Sequence, residues 1–455
     1  MLRKNSRLRT RLDESGIRFL EYSSGAIERI LPHVKVSGWK ESTWSAAGSW
    51  WDSPRRRAIR VRLAIGNEDD NGRSLEAFIT RRSVSGSGIG TNATLDDREY
   101  DICKMIAKRV SEALSRKQSG KSDASMRAIQ GAFDEYVVAT HVQSYHGLAQ
   151  MPINEVFDAL HKLSEESYEN KALTFGCILD PQEAVKEQNT QFPGEFLTSK
   201  KYKALSDGFR TAYHIARNGK LLDFVDLKQF EKKVLTEKHH YPDWAEMIAR
   251  ASRNGRCGIA LSRQGEILIF DGGTLRFTYR YGRWQYWNHA YLLHLLRDRA
   301  RAQHIRKKVL GRVVGAIYRA ALDVSFRRSG GLFVVLHNRK QLRKVVRRGD
   351  AIADAERSAV ESEFDEVIGK HTIQSLRRVV TVELASLDGA VVLNNSGRIR
   401  AYGAVLNPRR AGRHRGSEGS RTKAAIGASK YGLALKVSSD GDITVYYNGA
   451  EFIRM

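Results

Sequence analysis

Cysteine, proline and long apolar runs are all scarce in this chain of 455 residues, which has three cysteines and seven prolines. Cys103, Cys177 and Cys257 lie far apart without a Cys-x-x-Cys pair, which argues against a disulfide framework and a structural zinc site. The apolar runs, such as 331–336, are strand-sized and far short of the ~20 residues of a membrane-spanning helix. No apolar signal segment follows the basic start, so we expect a cytoplasmic protein without membrane contact.

Positive charge is what the sequence has in excess. Its 76 lysines and arginines outnumber 51 acidic residues and leave a formal net charge of +25. Such a surface attracts polyanions, so the composition is compatible with a nucleic-acid partner and with a site for nucleotide phosphates. A chain of 455 residues is too long for one core and is predicted to fold into two or three domains, and its 41% hydrophobic residues indicate a globular protein.

The first 150 residues predict a small α+β domain, 1–117, followed by a linker and connecting helix, 118–150. Alternating residues in 57–65 and 75–82 predict a hairpin, and the spacing of apolar residues in 95–115 predicts a helix. We expect the early tryptophans to form a core, with stacking on bases as the alternative. These are Trp39, Trp44, Trp50 and Trp51.

Residues 151–290 predict a middle α+β unit. An amphipathic helix with Val156, Leu160 and Leu163 on one face begins it, and strands at 258–261, 266–270 and 275–281 follow. An antiparallel sheet with helices on one face is expected, and the region has no recognisable catalytic constellation.

Residues 291–455 predict strands and helices in turn, which makes the fold class α+β or α/β. We expect one long helix over 291–323, with an apolar stripe and a strongly basic opposite face. A buried strand at 331–336 is entered through two glycines, and a helix from Ala351 to about Ile368 follows.

Two motifs in this last region suggest chemistry. Asp388 and Gly389 stand at the mouth of a strand that ends at Leu393, and a second strand is predicted at 399–406. Residues 419–425 offer a glycine, a hydroxyl and two cations just before a predicted helix at 426–430, an arrangement that suits phosphates because free N–H groups and positive charge meet there. A hairpin closes the chain, with strands predicted at 433–437 and 443–447.

The order and spacing of these motifs resemble the diadenylate cyclase domain of DisA-type proteins, over about residues 312–449. Within that superfamily the chain is most similar to DACNV, a divergent group of predicted nucleotide sensors. Parts of the middle unit, 160–171 and 265–284, resemble the same group. The resemblance implies a nucleotide-binding domain at 291–455, built on a mixed β-sheet flanked by helices.

The resemblance also implies roles for individual residues. The family's Asp-Gly-Ala motif corresponds to Asp388, Gly389 and Ala390, where the acid engages a metal or the attacking ribose hydroxyl and the backbone approaches the nucleotide. The family's Ser-Glu-Glu element corresponds to 438–440, with a single acid, Asp440. Asp388 and Asp440 are therefore the candidate ligands of Mg²⁺ or Mn²⁺.

The family's Gly-Thr-Arg-His-Arg-Ala-Ala phosphate loop corresponds to residues 419–425. Thr422 stands where the family has histidine, and Lys423 where it has the second arginine. The triplet 413–415, Arg-His-Arg, offers an alternative register that lacks the following helix start. The phosphate-binding residues implied are Gly419, Ser420, Arg421, Thr422 and Lys423.

These departures favour a sensor over an enzyme. Losing one acid and one bidentate arginine weakens metal and transition-state contacts more than ground-state binding, because lysine remains a point charge. We predict a sensor of a nucleotide, either ATP or a cyclic dinucleotide, in signalling or defence, acting through a homo-oligomer or an effector protein. Two alternatives stay open: an active diadenylate cyclase that joins two ATP molecules, and a nucleic-acid-binding protein.

Overall fold

The structure, a computed structural model, describes residues 14–43, 51–52, 58–64, 73–81, 95–118, 133–182, 191–231, 236, 238–303, 305–352, 358–407 and 419–455. The chain divides into two units, residues 1–239 with 244–287, and residues 240–243 with 288–455. Trp44, Trp50, residues 119–132 of the predicted linker and connecting helix, and the Arg-His-Arg triplet lie outside the described residues. None of the described helices is long and apolar enough to cross a membrane.

The first unit contains seven helices and fourteen strands within its described residues. The helices are α1 (Glu14–Ile30), α2 (Asp97–Gln118), α3 (Phe133–His146), α4 (Ile153–Ser164), α5 (Gly194–Thr198), α6 (Lys200–Leu205) and α7 (Glu246–Ala251). The strands are β1 (Val34–Val36), β2 (Lys40–Thr43), β3 (Trp51–Asp52), β4 (Ala58–Ala64), β5 (Arg73–Arg81), β6 (Ser167–Tyr168), β7 (Lys171–Ala172), β8 (Phe175–Asp180), β9 (Thr211–Ala216), β10 (Leu221–Asp226), β11 (Cys257–Leu261), β12 (Ile267–Asp271), β13 (Thr274–Arg280) and β14 (Arg283–Tyr286).

Three sheets organise this unit. A five-stranded sheet holds β1–β5 and includes the predicted β4–β5 hairpin, β6 pairs with β7, and a seven-stranded sheet has the order β10-β9-β8-β11-β12-β13-β14. The seven-stranded sheet was predicted to be antiparallel, but its strands β8 and β9 run parallel.

Two predictions about buried side chains in this unit are confirmed. The apolar face of α4 is buried as its spacing predicts, and Trp39 is buried with its indole N–H donating to Ser24 Oγ at 2.9 Å. Trp39 therefore packs in the core.

The second unit contains six helices and six strands within its described residues. The helices are α8 (His289–Ala302), α9 (Leu310–Arg327), α10 (Leu342–Val345), α11 (Ala359–Gly369), α12 (Arg378–Ser386) and α13 (Ser420–Ser429). The strands are β15 (Gly331–Leu336), β16 (Ala390–Leu393), β17 (Ile399–Ala404), β18 (Gly432–Val437), β19 (Ile443–Tyr447) and β20 (Ala450–Arg454). Short 3-10 helices occur at Arg339–Gln341 in this unit, at Leu227–Phe230 in the first unit, and at Asp243–Ala245, where the chain passes between the units.

The sheet of the second unit is mixed, which confirms the predicted fold class. Its order is β17-β16-β15-β18-β19-β20, and β15 and β16 are its parallel pair. Leu332, Val334 and Leu336 of β15 cluster with the buried face of α13. Phe333 and Val335 point to the opposite face, towards residues of α8 and α9. Alternating side chains of fully buried strands thus pack helices on both faces, as in layered α/β domains.

Two helix predictions in this unit are wrong in their bounds. The single helix over 291–323 is two helices, α8 and α9, and between them the N–H of Arg306 donates to the carbonyl of Asn395. Because the Arg306 N–H bonds to this distant carbonyl and not to the carbonyl four residues before it, α-helical hydrogen bonding does not continue through Arg306. Ala351 lies in a bend, and α11 begins at Ala359 because Ser358 and Glu361 form a capping box there.

Candidate functional site

A cleft of about 790 Å³ opens on the α13 side of the six-stranded sheet of the second unit. Ligand pockets in proteins have volumes of about 300–1,000 Å³, so this cleft can hold a small molecule. Its described lining residues come from β15, from the turn before β16, from the end of β17 and the residues after it, from the start of α13, and from β18 and the turn after it. They are Leu332, Asp388, Gly389, Ala404, Val405, Leu406, Gly419, Ser420, Arg421, Thr422, Lys423, Ala424, Lys436, Ser438 and Ser439.

Asp388 and Gly389 form one lip of the cleft, between the end of α12 and the start of β16. Gly389 has φ +120°, and a Cβ there would lie 2.4 Å from the carbonyl carbon of Gly403. Only glycine fits a backbone that is both left-handed in φ and this closely packed. The tight turn leaves the Asp388 carboxylate fully exposed at the mouth of the cleft.

The first turn of α13 forms the opposite lip. The sequence predicted a loop at 419–425, but the helix already begins at Ser420, so the cationic residues lie within its first turn. Gly419 is the N-cap residue, and its carbonyl accepts the N–H groups of Thr422 and Lys423. Because a glycine N-cap offers no side chain to the helix start, the positive end of the helix dipole faces the cleft directly.

Arg421 crosses the cleft from α13 towards the Asp388 lip. Its Nη2 lies 3.7 Å from Asp388 Oδ1. A Cβ on Gly330 would lie 2.4 Å from Nη1 of Arg421 and 3.6 Å from the backbone nitrogen of Ser439. The side chain therefore passes over Gly330, and the absence of a Cβ there makes room for the guanidinium.

Lys436 is a lining residue that sequence reasoning missed. It lies on β18, and its Nζ donates a hydrogen bond to Thr422 Oγ1 at 3.0 Å. Burial, and then the neighbouring Arg454 guanidinium, lowers the pKa of the Lys436 ammonium; Arg421 acts in the same direction, against Asp442 and Glu451. The available signal was a lysine inside the otherwise buried strand Gly432–Val437.

Two of the predicted site residues lie outside this lining. Ala390 is buried as the first residue of β16, and Asp440 is exposed in the turn between β18 and β19. Asp388 is the one carboxylate among the described lining residues. The described part of the chain has no group of three or more His, Cys, Asp or Glu side chains arranged to hold a metal ion.

All three cysteines are buried free thiols. Burial raises the pKa of each of them, so they are poor nucleophiles at neutral pH. They form no part of the cleft lining described above.

Comparison with known proteins gives one family match. Residues 318–451 match the family model DAC, described as DisA bacterial checkpoint controller nucleotide-binding. No curated protein shows a significant match to the chain.

Solved structures that resemble part of the chain include a hypothetical membrane spanning protein from Bacillus cereus (20% identity, 36% of this chain and 76% of that chain, TM-score 0.24). Another is a double mutant of DacA from Staphylococcus aureus (19% identity, 32% of this chain and 90% of that chain, TM-score 0.21). The family match, over less than a third of the chain, supports a similarity of residues 318–451 to the diadenylate cyclase superfamily.

Proposed function

We propose that the cleft binds a nucleotide, with the phosphates at the start of α13, and that the chain is a sensor of that nucleotide. The observation that carries the proposal is the gathering of Arg421, Lys423 and Lys436 around a helix start whose N-cap, Gly419, has no side chain to cap it. Backbone N–H groups, the helix dipole and fixed cations all favour phosphate at one place. The match of residues 318–451 to a nucleotide-binding family model supports the same assignment.

The apolar part of the lining suits the rest of a nucleotide. Leu332, Ala404, Val405, Leu406 and Ala424 line the cleft beside the cationic residues. A base and its ribose can pack on such side chains while the phosphates contact the helix start. A cleft with an apolar wall and a few convergent polar groups is the usual form of a small-molecule site.

A sensor is favoured over a cyclase by the donors that the cleft contains. Catalysis of phosphoryl transfer relies on metal ions and cations that bind the transition state more tightly than the ground state. Asp388 is the one carboxylate of the described lining, and Lys423 supplies a point charge rather than the bidentate fork of arginine. Binding tolerates these features better than turnover does.

A divalent cation fits the cleft in one way. Mg²⁺ is commonly held by one or two carboxylates together with ligand phosphates, and Mn²⁺ accepts similar oxygen ligands. Asp388 would hold the ion, which would neutralise phosphate charge when bound. Asp440 lies outside the described cleft lining, so we do not assign it the same role.

A thermal-shift screen tests nucleotide binding, because a ligand that binds the folded state raises its melting temperature with occupancy. The full chain is titrated with ATP, AMP and cyclic di-AMP, without and with Mg²⁺. Lys423→Ala is expected to remove most of the shift. Lys308→Ala, which removes an exposed lysine outside the cleft lining, is the matched control and keeps the shift. Equal shifts in both variants would disprove the site.

The cyclase alternative is tested by incubating the full chain with ATP and Mn²⁺ or Mg²⁺. A sensor leaves the ATP unchanged over many hours. A cyclic dinucleotide that accumulates with the wild-type chain and not with Asp388→Asn would show that the protein is a diadenylate cyclase instead.

Nucleic-acid binding remains a second candidate because a set of cations is exposed on α8, α9 and the segment between them. They are Arg297, Arg301, Arg306, Lys307, Lys308 and Arg312. Binding through such a surface falls steeply with salt concentration. If short oligonucleotides raise the melting temperature while mononucleotides and dinucleotides do not, this function replaces the sensor.

The wider context is proposed on sequence grounds. We place the chain in the DACNV group and in the cytoplasm, with domains at 1–117, 151–290 and 291–455 joined by the linker 118–150. Occupancy of the cleft would be passed to a second copy or to an effector protein in signalling or defence. Co-purification of a partner that depends on added nucleotide tests this output.

A further inference from the structure

Lys436 reaches the cleft from the sheet, whereas Arg421 and Lys423 reach it from α13. It pairs in register with Leu332 on β15, and that face of β15 packs against α13. The side chain therefore rises between the floor of the cleft and the first turn of the helix. Its contact with Thr422 Oγ1 fixes the ammonium at that position.

The charges around Lys436 favour an anionic ligand. Arg421 and Arg454 are close enough to lower the pKa of the ammonium, and burial acts in the same direction. Asp442 and Glu451 offset part of this repulsion. Within the described lining, three cations stand against one carboxylate, so an anion entering the cleft relieves repulsion among groups that the fold already holds together.

The hydrogen bond between Lys436 and Thr422 also prepares both groups for a phosphate. An ammonium has three N–H donors, and Thr422 takes one of them in the described structure. Because the threonine oxygen accepts from the ammonium, its own O–H can donate to a ligand oxygen. The pair thus presents an ammonium and a hydroxyl donor beside the helix start.

We propose that Lys436 is a phosphate-binding residue of the cleft, which makes the cleft select nucleotides by the number of their phosphate charges. The proposal rests on the proposed function, since it concerns the same ligand. It assigns to the sheet a third cation, additional to the two on α13. The alternative role of Lys436 is structural: it would hold α13 against the sheet through Thr422 and would not touch the ligand.

The test measures dissociation constants of the full chain for adenosine, AMP, ADP and ATP by calorimetry in the presence of EDTA. Lys436→Met and Lys436→Gln both remove the charge, so the result does not depend on the folding of one variant. Lys436→Arg keeps the charge, and Thr422→Val removes the hydroxyl while keeping the shape. Circular dichroism checks that each variant is folded.

Direct phosphate contact predicts at least a tenfold loss of ATP affinity in Lys436→Met, because charge-assisted hydrogen bonds are among the stronger polar contacts. The loss should grow from AMP to ATP and be absent for adenosine. Lys436→Arg should keep most of the affinity, and Thr422→Val should lose less than Lys436→Met.

Three results would overturn the proposal: wild-type affinity for ATP in the neutral variants, a loss as large for adenosine as for ATP, or equal losses in Lys436→Met and Thr422→Val. The last result would assign Lys436 the structural role. If the wild-type chain binds none of the four ligands, the proposed function fails as well. If it binds them and the neutral variants bind equally, only the role of Lys436 is wrong.

Discussion

Replacing Gly330 by alanine perturbs the cleft at a position where two effects can be separated. Gly330 has φ +70°, and its missing Cβ leaves room for the Arg421 guanidinium. An alanine there meets backbone strain as well as a contact of 2.4 Å with Nη1 of Arg421. The backbone strain acts on stability, whereas the contact acts on the placement of Arg421.

The expected magnitudes follow from these two effects. A left-handed φ costs a residue with a Cβ about 1–2 kcal/mol of stability. Each kcal/mol lowers the melting temperature of a unit of about 150–250 residues by about 2–4 °C. The contact with Arg421 costs less stability, because the end of a flexible side chain can move away. That movement takes the guanidinium from its place in the cleft, and a displaced charge-assisted contact weakens nucleotide binding by roughly tenfold or more.

Gly272→Ala is the matched control. Gly272 also has a left-handed φ, +58°, but nothing lies within 4 Å of the position of its Cβ. The two variants should lose similar stability, measured by thermal unfolding, while only Gly330→Ala loses nucleotide affinity, measured by calorimetry. In an Arg421→Ala background, Gly330→Ala should have no further effect on affinity. Equal affinity losses in both glycine variants would refute the reasoning.

Two further predictions concern stability. Asp323 is fully buried against Arg378, and burial raises the pKa of its carboxyl to about 6. This value lies above the ordinary pKa of about 3.9, so the contribution of this group to stability is full below about pH 4 and is lost as the pH rises through 6. Chemical denaturation between pH 4 and 8 should therefore show the wild type gaining stability relative to Asp323→Asn as the pH falls; parallel profiles would contradict this. Gly432→Ala places a Cβ 2.1 Å from the carbonyl oxygen of Val335, whereas a Cβ on Gly311, within α9, has nothing within 4 Å. Gly432→Ala should lower the melting temperature by several degrees and Gly311→Ala should not lower it, because alanine favours a helix over glycine; similar melting temperatures would show that the strands can separate at little cost.

The strands of the second unit could be predicted well from the sequence. β15, β18 and β19 are short apolar runs bounded by glycine or by a turn rich in serine and aspartate, and buried strands have this pattern. The order of motifs placed Asp388 and residues 419–423 in one site, and the structure brings them to the same cleft. The local sequence was sufficient to predict a strand where an apolar run and the turn residues that bound it indicate the same element.

Helix bounds and cross-strand neighbours could not be predicted in the same way. The break between α8 and α9 includes a hydrogen bond from Arg306 to Asn395, which are far apart in sequence. The helix α12 was not expected, although it ends directly before the Asp388 lip. Lys436 joins the cleft because β18 lies beside β15, and pairing of this kind depends on the whole sheet rather than on a motif.

The most direct measurement of the central claim is a calorimetric titration of the full chain with ATP and with cyclic di-AMP, repeated with Arg421→Ala and with Arg312→Ala. Arg312 is exposed on α9 and lies outside the described cleft lining, so its loss removes the same charge elsewhere in the unit. We expect saturable binding of at least one ligand by the wild type and by Arg312→Ala, and a loss of about 10–100-fold with Arg421→Ala. Saturable binding that is unchanged by Arg421→Ala, or no binding by the wild type, would contradict a nucleotide site in this cleft.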